Sequence, residues 1–225
     1  MMSIRIIGTS HISRKSVSAI TAAISEQLPS VIAIELDPNR LEGLFADPDA
    51  KKPGPLETIR QVGVQGYVFA LLGGYAERKM GDLVGMKPGD EMRHAVILAR
   101  KHHLPLALID QDIHTTLKRF SKSFSWTEKW RLIYDLMFGR FNKDLNFDLN
   151  DVPDEELIET MLEKVKQRYP GFYKVLITER NNVITRNLAH LARSQEEGTI
   201  LAVLGAGHKK AVVAALKRRG IEVIE

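Results

Sequence analysis

Ile200-Leu201-Ala202-Val203-Leu204 runs into Gly205-Ala206-Gly207-His208, and far earlier Ile4-Arg5-Ile6-Ile7 runs into Gly8-Thr9-Ser10-His11. Each is a short apolar run that ends in G-x-x-H and then opens a helical pattern. That is the strand–turn–helix unit of an α/β fold. The glycine lets backbone approach whatever sits at the strand's end. The histidine emerges near a helix N-terminus, where N–H groups have no intrahelical partner. Two such units predict that two imidazoles converge on one site.

The rest of the chain repeats the alternation. Val17, Ile20, Ile24 and Leu28 share one helical face, and Pro29 ends that helix. Val31-Ile32-Ala33-Ile34 is a continuous apolar run, as a strand covered on both faces requires. Pro88-Gly89-Asp90 starts a helix with a core stripe at Met92, Ala95, Val96 and Ala99, and Leu104–Ile109 is a third strand. A long helix is expected over 171–194, a fourth strand at 200–204, a helix over 208–219 and a fifth strand at 221–224. The 225 residues therefore read as a single α/β domain over 1–225, with a central, mostly parallel sheet flanked by helices. Two helical excursions interrupt it, at about 54–86, where a glycine-punctured cover is expected over the site, and at 112–168.

Composition narrows the chemistry. The absence of cysteine excludes thiol catalysis, disulfides and thiolate zinc sites, and fits a reducing compartment. A strand beginning near residue 4 leaves no room for a signal peptide, and no apolar stretch is long enough to span a bilayer. A cytoplasmic protein is expected. The net charge of +4 admits nucleic acid or an anionic membrane as partners. The stretch Phe120–Arg131 interleaves aromatic and cationic side chains in a way that could suit nucleic acid. A solvated helix with aromatic anchors explains it more simply, because no recognised nucleic-acid-binding pattern accompanies it.

Polar residues gather at strand ends. His11 follows the first strand, Glu35 and Asp37 close the second, Asp110 closes the third and His208 follows the fourth. In a parallel sheet those ends lie on one edge, where ligands bind. Glu35 extends an apolar run directly and reads as a site carboxylate, whereas Asp37, before Pro38, reads as a helix N-cap. On the helix at 171–194, Arg180 stands in the middle of the apolar stripe and Glu179 on its shoulder. Charged groups at such positions need partners. Glu91 lies in the first turn of its helix, where it serves a site or the helix dipole. Arg119 could clamp a substrate oxygen or sit at the helix surface. His94, His102, His103, His114 and His190 read as ordinary surface or helix-end residues.

Several of these segments carry a resemblance. Gly8-Thr9-Ser10-His11 resembles the opening of the TraB/PrgY proteins, which are related to Tiki and GumN. Ile34–Arg40, Gly89–Met92, Asp110–Thr116, Thr178–Asn181 and Leu204–His208 resemble further motifs of that family, in order along essentially the whole chain. The resemblance implies an erythromycin-esterase/ChaN-like α/β fold. It also implies a metal-dependent hydrolase acting on peptide or amide bonds. Tiki members are described as proteases using manganese or cobalt, and PrgY-type members act in shutting down peptide pheromones. On that implication His11, Glu35 and His208 hold a divalent ion, Mn²⁺ or Co²⁺ foremost and Zn²⁺ also suited. Glu179 or Glu91 would act as general base, and Arg180 or Arg119 would stabilise an oxyanion. Asp110 would orient an imidazole. A peptide is the expected partner and no specific nucleic acid is expected. Association with a membrane surface is a further expectation, and a longer form bearing the C-terminal membrane segments of full-length PrgY-like proteins would be membrane-associated. Three alternatives use the same residues or charge: a peptide-sequestering module without turnover, metal-free esterase or phosphate chemistry with His11 as base, and a basic nucleic-acid binder.

Overall fold

The computed structural model describes residues 2–9, 14–47, 54–64, 66–67, 71, 89–123, 125–137, 155–194 and 197–224. His11, most of the stretch 54–86 and the expected break near Asn146–Pro153 lie outside them.

Five parallel strands form the central sheet: β1 (Met2–Thr9), β2 (Val31–Ile34), β3 (Leu106–Leu108), β4 (Gly198–Gly205) and β5 (Glu222–Ile224), in the order β3-β2-β4-β1-β5. All four residues of β2 are buried, because the strand is covered on both faces. Its side chains alternate between two cores. Val31 and Ala33 join Ile4, Ile6, Ile200 and Leu204 on one face, packed under α9 (Arg180–Ser194) and α10 (Ala206–Lys217). Ile32 and Ile34 join Leu201 and Val203 on the other face, under α1 (Arg14–Glu26) and α4 (Asp90–Lys101). The period of two along each strand thus builds an α/β/α sandwich.

Between these elements lie α2 (Pro38–Phe45), α3 (residues 55–64), α5 (Ile113–Ser123), α6 (Trp126–Met137), α7 (Glu155–Arg168) and α8 (Pro170–Tyr173). A π-helical turn, Lys174–Glu179, joins α8 to α9. The excursion α5–α7 packs on this turn and on α10, around a small aromatic core of Phe120, Phe172 and Tyr169. Within the expected glycine-punctured cover, residues 55–64 are helical.

Two expectations shift in detail. α1 ends at Glu26, so Leu28 falls beyond it and is exposed rather than on the apolar stripe. The helix at 170–194 is also not uniform. The π turn inserts five-residue spacing, so Val175, five before Arg180, is wholly buried while Leu176 and Ile177 are only partly so.

Candidate functional site

Sheet order explains which strand ends meet. β4 lies between β2 and β1, and β2 lies between β4 and β3. Asp110, Glu35 and the Gly205–His208 turn therefore succeed one another along the carboxyl edge. Ile34 pairs with both Leu108 and Val203, which sets Glu35 at the same height as its neighbours. The sheet-packing helices run antiparallel to the strands, so their first turns reach the same edge. From there α9 supplies Arg180 and Asn181, and α10 supplies His208.

These residues form a continuous row of alternating charge. Asp37 caps α2, accepting from the backbone of Asn39 at 3.0 Å and Arg40 at 3.3 Å, and also pairs with the Arg40 side chain. Arg40 reaches on to Asp110. Arg180 Nε donates to both Asp110 oxygens at 3.1 Å, while its Nη2 bonds Asp110 Oδ2 at 2.5 Å and Glu35 Oε1. Glu35 Oε2 accepts from the Gly205 N–H at 2.6 Å. His208 Nε2 lies 3.3 Å from Glu35 Oε1, and its Nδ1 lies 2.6 Å from Asn181 Oδ1. Glu35, Asp37, Asp110 and His208 are all buried.

The electrostatics follow from this packing. Burial alone would ease the proton off Arg180, but Glu35 and Asp110 more than offset it and raise its pKa above the ordinary guanidinium value. Arg40 is raised in the same way, burial being outweighed by Asp110 and Asp37. Both arginines are permanent cations. Among the described residues three carboxylates therefore meet two guanidiniums, with the His208 ring beside Glu35.

Asn181 Oδ1 can only accept, so Nδ1 of His208 carries a proton and Nε2 is the nitrogen that faces Glu35 Oε1. Two acceptors at that distance repel unless positive charge lies between them, as a proton or as a cation. The spacing suits one edge of a coordination shell, where ligands stand about 2.0–2.2 Å from a first-row ion. Glu35 and His208 thus fit a divalent ion as two of its ligands. Arg180 holds the same Glu35 oxygen. Among the described residues no group of three or more His, Cys, Asp or Glu is placed to hold a metal ion.

Other expected site residues fall differently. Glu179 and Arg119 meet each other, with Arg119 Nε and Nη2 donating to the two Glu179 oxygens at 2.5 and 2.9 Å. Glu91 is wholly buried in the first turn of α4, at the carboxyl edge because α4 ends just before β3 begins. Thr9, at the end of β1, donates to the Leu204 carbonyl and brings the β1 end beside β4. His11, two residues further on, lies outside the described residues.

Sequence reasoning missed two members of the row. Arg40 is the last residue of the Glu35–Arg40 segment, and its spacing from Asp37 on the first turn of α2 would have found it. Asn181 directly follows Arg180, and the π turn aims both at the sheet edge. Gly205 serves differently than expected. Its φ of −59° is open to any residue, and its contribution is the N–H that anchors Glu35.

A sequence profile described as the TraB/PrgY/gumN family matches residues 2–224. An uncharacterised protein of Methanocaldococcus jannaschii is 32% identical over 218 residues, covering 96% of this chain and 53% of that relative. A human TraB domain-containing protein is 26% identical, covering 90% of this chain and 60% of its own length, and the mouse counterpart matches to the same extent. The chain thus spans between half and two thirds of the length of these relatives. No helix among the described residues is long and apolar enough to cross a membrane. The chain belongs to the TraB/PrgY/gumN family.

Proposed function

We propose that the protein is a metal-dependent hydrolase of peptide or amide bonds, with Glu35 and His208 as the described part of its cation seat. The observation that carries this reading is the approach of Glu35 Oε1 to His208 Nε2 at 3.3 Å, a buried carboxylate oxygen and imidazole nitrogen spaced as neighbouring ligands of one ion. His11 is proposed as a third ligand from its place just beyond β1. Mn²⁺ or Co²⁺ is the first choice and Zn²⁺ the second, in keeping with a nitrogen and oxygen donor set without thiolate. Such an ion, when bound, lowers the pKa of a water and polarises a carbonyl.

The surrounding residues have distinct tasks. Asn181 fixes the His208 ring so that Nε2 faces the seat, as an outer partner of a ligand does. Gly205 anchors the second oxygen of Glu35. Asp110 is proposed to steady Arg180 rather than an imidazole, since it accepts three of that guanidinium's hydrogen bonds. Arg180 Nη1 makes only a long, 3.5 Å contact with the Leu176 carbonyl and retains donor capacity for a substrate oxygen. Glu179 or Glu91 is proposed as general base, with Arg119 holding Glu179 through two hydrogen bonds.

The test is turnover of a peptide library with Mn²⁺ or Co²⁺ supplied. Cleavage should stop on chelation. His11→Ala and His208→Ala should each abolish it with the fold intact, and the double variant should be hardly worse than either single one. One observation favours a second reading, a peptide-sequestering module: Arg180 already neutralises the oxygen an ion would use. That reading predicts peptide affinity without turnover and without metal.

A further inference from the structure

The described side chains of α6 place acids inward and aromatic rings outward. Its two acidic residues face inward: Glu128 is 5% exposed and Asp135 1%. Glu128 accepts from Ser125 N and Oγ and from the Gly171 N–H, and Asp135 is held by Arg168 and the Tyr169 hydroxyl. The large aromatics face outward, with Trp126 71%, Trp130 66% and Tyr134 49% exposed. Their four-residue spacing sets the three rings on one stripe, within about 80° of arc and about 12 Å of helix length. Trp126 and Trp130 are the only two tryptophans in the chain. Burial of such side chains is normally favoured by roughly 1.5–3 kcal/mol each, so a water-facing stripe of them marks a contact surface.

We propose that this face of α6 docks on an anionic membrane surface, with Trp126, Trp130 and Tyr134 as anchors in the headgroup layer. Tryptophan and tyrosine join an apolar ring to a polar edge and prefer that boundary. Charge points the same way. Lys118, Lys122 and Arg131 are exposed on α5 and α6, while the acids of α6 are turned inward. Area argues against a second copy of the chain as occupant. Three partly exposed aromatics offer on the order of 400 Å² per copy, so a symmetric pair would bury about 800 Å² through them, below the roughly 1,200 Å² total of a stable protein pair. A bilayer needs no shape match and rewards a few anchors with adjacent cations. Single-stranded nucleic acid also uses rings and cations, but binds them in a groove that tracks its backbone, which a single helix face does not provide. The contact is peripheral, since no described helix can cross a membrane.

Both tryptophans are built-in reporters. The full chain is titrated with vesicles of phosphatidylcholine alone and of phosphatidylcholine with phosphatidylserine, following emission wavelength and co-sedimentation. The expected result is a blue shift and sedimentation with the anionic vesicles only, weakened by salt. Trp126→Ser and Trp130→Ser should each weaken partitioning by about tenfold or more, and Tyr134→Ser by less. Lys122→Glu should lower binding without shifting the emission of what remains bound. All four side chains are exposed, and circular dichroism should show unchanged folds. No shift with either vesicle, or equal binding to both, would overturn the proposal. So would a salt-sensitive shift with oligouridine but none with vesicles, which would assign the face to nucleic acid. Conversion of a dimer to monomer by Trp130→Ser would assign it to self-association.

Discussion

Two clusters of buried acid and arginine stand in this molecule, and they do different things. At the sheet edge, Glu35, Asp110 and Asp37 are paired with Arg180 and Arg40, and the row ends on the His208 imidazole. In the helical excursion, Glu128 and Asp135 are neutralised or capped by Arg168, Tyr169 and backbone N–H groups. The excursion cluster joins three helices. Ser125 and Glu128 bond reciprocally as a capping box on α6, and Glu128 then reaches the first turn of α8. Each contact there joins one helix to another or closes a turn. The edge row ends where His208 Nε2 faces a Glu35 oxygen that is shared with a guanidinium an ion could displace. Pairing alone therefore does not mark function. What marks it is a carboxylate oxygen and an imidazole nitrogen set at ligand spacing on the sheet edge.

The sharpest contrast between the clusters is expected in stability. Removing Arg180, whose side chain is 16% exposed, takes the guanidinium from buried Glu35 and leaves Asp110 with Arg40 alone, so Arg180→Ala should cost about 3–5 kcal/mol in urea unfolding. Removing Arg168, 42% exposed, should cost only about 1 kcal/mol after discounting for solvent, because Tyr169 still bonds Asp135. Equal losses would dissolve the distinction.

Intermediate in size is Gly171→Ala. A methyl there would meet the Ser123 carbonyl and stand 2.8 Å from Glu128 Oε2, so the packed α6–α8 joint should lose about 1–3 kcal/mol. The same unfolding experiment reads it, and metal uptake at the sheet edge should be unchanged. Loss of uptake would mean that the two clusters are coupled.

The smallest effect is one of pH. Burial foremost, and then the bond to Asp135, raises the Tyr169 phenol to about 12 from an ordinary value of 10.0. The raised group is neutral in the fold, so its contribution to stability is complete below pH 10 and is lost as pH rises toward 12. Ultraviolet titration should show one late tyrosine that Tyr169→Phe removes. Titration of every tyrosine near its ordinary value would show the excursion to be open to water.

The elements most legible in the sequence were those with a single physical cause. A four-residue apolar run such as Val31–Ile34 has little to be but a doubly covered strand, and its last residue must then deliver Glu35 to the sheet edge. Arg180 was legible because a charge in an apolar stripe needs partners, and Glu35 and Asp110 are those partners. The π turn was not legible. Val175-Leu176-Ile177 offers an apolar residue at every phase, so a one-residue slip leaves no trace in the pattern. That slip, in turn, hid Asn181. The insertion of β4 between β1 and β2, which makes Glu35 and His208 neighbours, also has no local signature, since register and strand order are settled by packing. In α6, the run Trp130–Tyr134 fits an inward apolar face as well as an outward one. Only the partners of Glu128 and Asp135 decide between them.

Calorimetric titration of Mn²⁺ or Co²⁺ into the wild-type chain, Glu35→Gln, His208→Ala and Arg180→Gln tests the cation seat most directly. The account predicts one ion per chain for the wild type and loss of that binding in Glu35→Gln and His208→Ala, with all folds intact. It predicts tighter binding in Arg180→Gln, provided that variant folds, because the guanidinium no longer competes for Glu35 Oε1. A wild-type chain that takes up no divalent ion, or uptake that Glu35→Gln and His208→Ala leave unchanged, would contradict it.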